Sequence, residues 1–391
     1  MNTVMKRALI VLVSGGLAAG AAILYWQSRK DAGTVELVDS RVAMRDLLEG
    51  RQGSRTASGA GSSTTRVPTL EERSSLDPDQ ARALFASPEH KFRFDSHRFY
   101  AYRPDIDERK TWQEHPERAW TLSTNAHGFR EDSDELRLDA DRFVLVIGDS
   151  HVDGMCNNDE SFVALAEKRL EEILPGQSVQ VLNTGTSGYN FYNYLGVVDE
   201  FIEHGPDAIV VTIYGGNDYL GAVMPHHYFN ESAPPPEASG YWDKIEAAKR
   251  ASSAAVGMAL NQAFYFQNYP DEVAFAREAA LAVTEEIQRV ATEAGSKLIW
   301  VYIPPLYDID EARAEEMEAA RETLALTDYD MKVADRLTDD VLAKAREHGD
   351  HVIDLRREFG GRPGPFYWRD GHINLKAQKL VAQLLAPQLA R

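Results

Sequence analysis

A serine, an aspartate and a histidine lie far apart along this 391-residue chain, each in a setting that suits acyl chemistry. Ser150 ends the run Phe143 to Ser150 (FVLVIGDS), and Asp370 and His372 flank a glycine in Asp370-Gly371-His372. A serine hydroxyl is a weak nucleophile until a base takes its proton, and neutral imidazole is the usual base. The imidazole in turn needs an acceptor on its second nitrogen, which holds its tautomer and stabilises the cation that forms. Asp370 suits that task, because residues two apart share a face in an extended loop but diverge on a helix. Ser150, Asp370 and His372 are therefore the candidate catalytic residues.

Negative charge that develops on a carbonyl oxygen needs donors fixed in advance. The Ser150 N–H is one, the Gly188 N–H a second and the Asn217 side-chain amide a third, from the runs Gly185-Thr186-Ser187-Gly188 and Gly215-Gly216-Asn217-Asp218. Gly185 is an alternative to Gly188, and both glycines could serve only to permit tight turns. Other polar residues nearby have plainer explanations. Ser150 could be an ordinary helix N-cap. Asp149 braces the turn through backbone hydrogen bonds. His151 is a pocket-wall or surface residue, Asn183 and Asn190 form turns, and Asp218 is structural. His226 and His227 lack further ligands at metal-binding spacing and read as solvated. No nucleotide-binding loop is present, and the pattern calls for neither cofactor nor metal.

Elements that would position these residues follow from hydrophobic patterning. Phe143 to Ile147, Ser178 to Asn183, Ala208 to Ile213, Lys297 to Ile303 and His351 to Leu355 are short apolar runs that predict strands. Glu160 to Leu174 has helical periodicity, with Phe162, Leu165, Ala166, Leu170 and Ile173 on one face. Asn374 predicts the cap of a helix over Leu375 to Ala386, stopped by Pro387. Alternating strands and helices with near-continuous apolar strands predict a three-layer α/β/α sandwich of about five parallel strands. In such a sheet functional groups gather outside the carboxyl ends of the strands, and all four polar clusters fall there.

The ordered blocks GDS, a GxSG-type turn, GGND and a C-terminal DxH resemble the SGNH hydrolases, also called GDSL esterases and lipases. The resemblance spans about Thr124 to Pro387 and includes Thr124 to Arg130 (TNAHGFR), similar to the lead-in of many bacterial members. It implies a flavodoxin-like fold, Ser150 as nucleophile, Asp370 and His372 as its partners, and Ser150, Gly188 and Asn217 as the oxyanion hole. It also selects Gly188 over Gly185. Many members carry two residues between the aspartate and the histidine, whereas this chain has only Gly371.

Ala8 to Trp26 is uncharged between Lys6-Arg7 and Arg29-Lys30, long enough for a membrane-spanning helix. Residues 1–30 are thus expected to be an uncleaved signal anchor, with a removed signal peptide as the rival. Gly, Ser and Thr dominate Gly50 to Arg66, so residues 31–90 are expected to be a flexible tether, residues 91–391 the folded domain, and 219–270 a lid-like insertion. That arrangement predicts a single-pass protein with an extracytoplasmic domain. A formal charge of -19 excludes nucleic acid as an expected partner. The one cysteine, Cys156, can form no intramolecular disulfide and reads as a small core residue. The expected activity is ester hydrolysis on a small acyl ester or an acylated glycan. The alternatives are an O-acyltransferase or deacetylase of cell-envelope glycans and a non-catalytic anchored binding protein.

Overall fold

The computed structural model describes residues 66–85, 91–309, 313–360 and 364–391. The expected anchor at Ala8 to Trp26 and the Gly/Ser-rich stretch up to residue 65 lie outside them. Among the described residues, no helix is long and apolar enough to cross a membrane.

Folded structure starts well before the expected boundary at residue 91. Thr69 and Glu72 form a reciprocal capping box that starts the helix Leu70–Ser74, and the helix Pro78–Phe85 follows. Leu76, Leu84 and Phe85 are buried, Phe85 stacks on Phe99 with ring centroids 4.2 Å apart, and Arg73 pairs with Asp199. These contacts join the segment to the main body. The sparse apolar residues of this stretch gave little periodicity, although Leu76, Ala81, Leu84 and Phe85 are buried.

Two antiparallel hairpins come next: β1 (Phe92–Asp95) with β2 (Phe99–Tyr102), and β3 (Asp107–Thr111) with β4 (Ala119–Ser123). The central sheet contains β5 (Arg142–Ile147), β6 (Val179–Asn183), β7 (Ala208–Tyr214), β8 (Lys297–Ile303) and β9 (His351–Asp354). All are parallel, in the order β6-β5-β7-β8-β9. Every residue of β6 and β7 is buried, as both faces of the sheet are covered. Each fully buried Val, Leu or Ile side chain contributes about 1.5–3 kcal/mol, so apolar runs in the sequence become the middle of the sheet.

The helices Phe162–Ile173 and Leu375–Leu389 pack together as one layer; Phe191–Phe201, Asp271–Ala294 and Val333–His348 form the other. From β5 the chain goes to β6 on one side, then returns to β7 on the other. The crevice between the carboxyl ends of β5 and β7 is therefore the topological switch point of the sheet.

Local details depart from expectation. Ile173, placed by periodicity on the buried face, is 46% exposed in the last turn of its helix, while Val163 in the first turn is buried. The C-terminal helix runs through Pro387 to Leu389. So near the helix end, a proline forfeits a single backbone hydrogen bond and the helix survives. Within the insertion, Asp218–Phe229 is a buried helix against Asp271–Ala294. The helices Tyr241–Ala251, Ala254–Ala259 and Asn261–Asn268 follow.

Candidate active site

β5 runs into Gly148, where a Cβ would lie 2.2 Å from the Val152 side chain, so the chain can turn sharply only with glycine there. Asp149 then caps the short helix Ser150–Asp153 by accepting from the His151 N–H at 2.9 Å, the bracing role expected of it. Burial raises the Asp149 carboxyl to about 6, against the pull of that hydrogen bond and of His372. Ser150 is partly exposed between buried neighbours, so the turn presents its hydroxyl at the carboxyl edge of the sheet.

His372 Nε2 lies 2.7 Å from Ser150 Oγ, and His372 Nδ1 is bonded to Asp370 Oδ1. This pattern assigns the tautomer: Nδ1–H donates to Asp370 and Nε2 accepts from Ser150. Burial pulls the imidazole down, but the Asp370 carboxylate, its hydrogen bond and Asp149 more than offset this and raise His372 to about 9. The loop between them is not extended. Gly371 has φ +91°, a conformation that favours glycine, so a single residue suffices to fold Asp370 back onto His372.

The loop is held on every side. Glu114 accepts from the Trp368 and Arg369 N–H groups at 2.6 and 2.8 Å. Buried Arg313 donates to the Tyr367 and Trp368 carbonyls. Asn374 caps the last helix as expected and also bonds the Gly364 and Phe366 carbonyls. The sequence carried no signal for Glu114 or Arg313, since their partners are backbone atoms about 255 and 55 positions away.

Gly188 and Asn217 both reach solvent in the loops after β6 and β7, the two neighbours of β5. The Thr186 N–H donates to the Gly148 carbonyl at 3.2 Å and ties the first loop to the Ser150 turn. Gly188 has φ +84°, and a Cβ there would meet the Tyr100 hydroxyl at 2.9 Å. Gly185 is different: it is buried, its N–H is taken by Asn183 Oδ1 at 3.0 Å, and a Cβ would strike Asp153 N at 2.4 Å. Gly185 packs the turn, whereas Gly188 is exposed. Asn217 precedes the helix Asp218–Phe229 without capping it through its side chain, which leaves the amide on the rim.

Asn183 and Asn190 serve turns, the latter capping the helix Phe191–Phe201. Asp218 is structural, accepting from Tyr194 Oη and the Tyr214 N–H at 2.7 and 2.8 Å. His226 and His227 are buried rather than solvated. His227 bridges Ser232 Oγ and Glu272 Oε2, both at 2.8 Å, and His226 Nδ1 meets Tyr192 Oη at 2.7 Å. Their helix packs against Asp271–Ala294, and that packing supplies partners which sequence spacing does not reveal.

Two further contributors emerge. His151, expected on a pocket wall or the surface, is buried, with its ring 3.9 Å from Tyr214 and 4.9 Å from His372. Its Nδ1 accepts weakly from the Ile373 N–H at 3.4 Å, and burial, reinforced by His372, keeps it well below the ordinary histidine range. Neutral His151 thus supports the loop that carries His372. Arg130, last in the TNAHGFR stretch, donates to Asp153 Oδ1 at 2.6 Å, to Cys156 O at 2.7 Å and to Asn158 Oδ1 at 2.8 Å. It fixes the loop after the Ser150 helix, with Cys156 buried inside. A histidine beside the serine was the available signal for the first; nothing local marked the target of the second.

Several solved structures resemble the chain at low identity. TesA is 18% identical with TM-score 0.37, over 63% of this chain and 98% of that one. A lipase/acylhydrolase from Enterococcus faecalis is 17% identical with TM-score 0.33, over 64% and 95%. The psychrotrophic esterase EstA from Pseudoalteromonas sp. is 15% identical with TM-score 0.36, over 62% and 93%. No curated protein matches the chain. The model of the GDSL-like lipase/acylhydrolase family matches residues 146–380, from the strand before Ser150 to the helix after His372. With more than half of its length matched, including every loop that forms the Ser150 rim, the chain belongs to the GDSL-like lipase/acylhydrolase family.

Proposed function

We propose that this protein, a hydrolase acting on ester bonds by its family, is a serine esterase that works through an acyl-Ser150 intermediate. The observation that carries the proposal is the imidazole of His372 held between Ser150 Oγ and Asp370. Ser150 Oγ attacks the ester carbonyl as its proton passes to His372 Nε2, and the Asp370 carboxylate stabilises the imidazolium. The Ser150 and Gly188 N–H groups and the Asn217 amide receive the oxyanion. Collapse of the tetrahedral species breaks the ester C–O bond, and the leaving alkoxide takes the proton from His372. Water then gives a proton to His372 and attacks the acyl group; collapse breaks the bond from Ser150 Oγ to the acyl carbon, Ser150 Oγ takes the proton back from His372, and the carboxylic acid leaves.

Hydrolysis of p-nitrophenyl acetate by the full-length protein tests this, with Ser150→Ala as the comparison. Turnover should fall by about 10³-fold or more in the variant; equal rates would sink the proposal. We also place the domain outside the cytoplasm on a membrane anchor, supported by the uncharged run Ala8 to Trp26. Protease added to intact cells should then degrade the domain, and full protection would remove that placement.

A further inference from the structure

We propose that Tyr100 is a positioning residue of the esterase site, whose hydroxyl holds the Ser187–Gly188 peptide in the orientation that aims the Gly188 N–H, an inference that deepens the esterase reading and rests on it. The Tyr100 hydroxyl donates to the Ser187 carbonyl at 3.0 Å. A trans peptide is planar, with its C=O and N–H pointing to opposite sides. Fixing the carbonyl of Ser187 against Tyr100 therefore turns the N–H of Gly188 away from hairpin β1–β2.

The turn does not set that orientation by itself. The Tyr189 N–H donates to the Thr186 carbonyl at 3.1 Å, which closes a four-residue turn with Ser187 and Gly188 at its centre. Gly188, in the third position, has φ +84°, the value of a type II turn. A type I turn differs by a flip of the central peptide, with negative φ at the third residue. A side chain there would favour type I, whereas glycine takes either sign of φ readily. The setting must then be fixed from outside, and the Tyr100 hydroxyl meets the Ser187 carbonyl in the type II setting. A Cβ on Gly188 would lie 2.9 Å from the same hydroxyl, so Tyr100 abuts both halves of the 187–188 unit.

Tyr100 is itself held in place. Its buried ring meets the Tyr189 ring edge-on with centroids 5.1 Å apart, and the Tyr189 hydroxyl donates to the Tyr100 carbonyl at 2.6 Å. Tyr102 lies on the same face of β2 and donates to Asp153 Oδ2 at 2.7 Å, at the end of the helix that Ser150 starts. One strand thus grips the Gly188 turn and the Ser150 helix together. At the bend of the hairpin the Asn193 amide donates to the Arg98 carbonyl at 2.8 Å, and Phe99 takes φ +71°, uncommon for a bulky residue. Backbone strain of this kind gathers where structure around a site must be aimed. The hairpin lies before residues 146–380, outside the stretch that carries the five site residues.

Tyr100→Phe in the full-length protein, kept in detergent, tests the inference through two measurements. The first is steady-state hydrolysis of p-nitrophenyl acetate. The second is inhibition by an alkyl trifluoromethyl ketone: Ser150 Oγ adds to its carbonyl carbon as the proton passes to His372, and the hemiketal oxygen then bears the charge that the Gly188 N–H would meet. In Tyr100→Phe, kcat should fall about tenfold or more, part of the cost of about 10²–10³ for a lost oxyanion donor, with KM within about twofold. The inhibition constant of the ketone should rise by about the factor that kcat/KM loses. Unchanged kcat, or a loss confined to KM, overturns the inference. So does a loss of kcat with an unchanged inhibition constant, because a partly unfolded sample holds fewer active molecules of ordinary affinity. Failure of the esterase reading would appear separately, as wild-type protein that neither hydrolyses p-nitrophenyl acetate nor binds the ketone.

Discussion

His372 Nε2 stands 2.7 Å from Ser150 Oγ across 222 residues of sequence. A helix start after β5 presents the serine, and a braced loop before the last helix presents the histidine. Each prediction below perturbs one support of that meeting.

Asn217→Ala removes the side-chain donor of the proposed oxyanion hole. Its amide caps nothing, so stability should be nearly unchanged. Loss of one oxyanion donor costs about 10²–10³ in kcat. Steady-state kinetics on a p-nitrophenyl ester should show that loss in kcat, with KM little altered.

In the proposed mechanism Ser150 loses its proton to neutral His372, and that imidazole is raised to about 9. The rate should therefore climb through the weakly alkaline range and level off above about pH 9. Asp370→Asn removes the main cause of the rise, so the limb should move to lower pH while kcat falls by about 10⁴. Stability runs the other way. A pKa raised on folding means that the folded state binds the proton more tightly, so the stabilisation is complete below about pH 6.5 and is lost as pH rises towards 9. Melting temperature should decline across the window in which activity climbs, and less steeply in Asp370→Asn.

Gly371→Ala tests whether the single residue between Asp370 and His372 works through its backbone. Space is available, as the nearest atoms to a Cβ are Leu306 Cδ2 at 3.7 Å and Ala255 Cβ at 3.8 Å. The cost should come from φ, about 1–2 kcal/mol for a left-handed residue with a side chain. Activity should fall at least tenfold with the fold intact by circular dichroism, because relaxation of the strain moves Asp370 relative to His372.

His151→Leu leaves the Ile373 N–H without its acceptor. A buried unsatisfied donor costs about 1–3 kcal/mol, which should register in thermal denaturation. The His372 loop should loosen as well, lowering kcat about tenfold with KM nearly constant, and His151→Gln should restore part of it. Wild-type kcat in His151→Leu would remove His151 from the support of the loop.

The five strands of the central sheet and their parallel direction were legible in the sequence, because burial on both faces leaves an unbroken apolar run, and the candidate site residues were named from the polar clusters at the strand ends. Asn374 was legible as a cap for the same local reason, being followed directly by the helix it starts. The sequence was silent where partners are remote. Arg130 looks like any charged residue until the loop 153–158 closes around it, and His226 and His227 look solvated until Glu272, Ser232 and Tyr192 arrive from other segments. Residues 66–85 looked like tether because a two-helix segment with few apolar residues gains its stability from Asp199 and Phe99 rather than from itself. Residue types and local patterning determined which groups could do the chemistry. Tertiary structure alone decided the surroundings of Gly185 and Gly188: a glycine buried with its N–H bonded to Asn183 and an exposed one are distinguished only once the chain has packed, which gives a physical ground for the preference that the resemblance had already expressed.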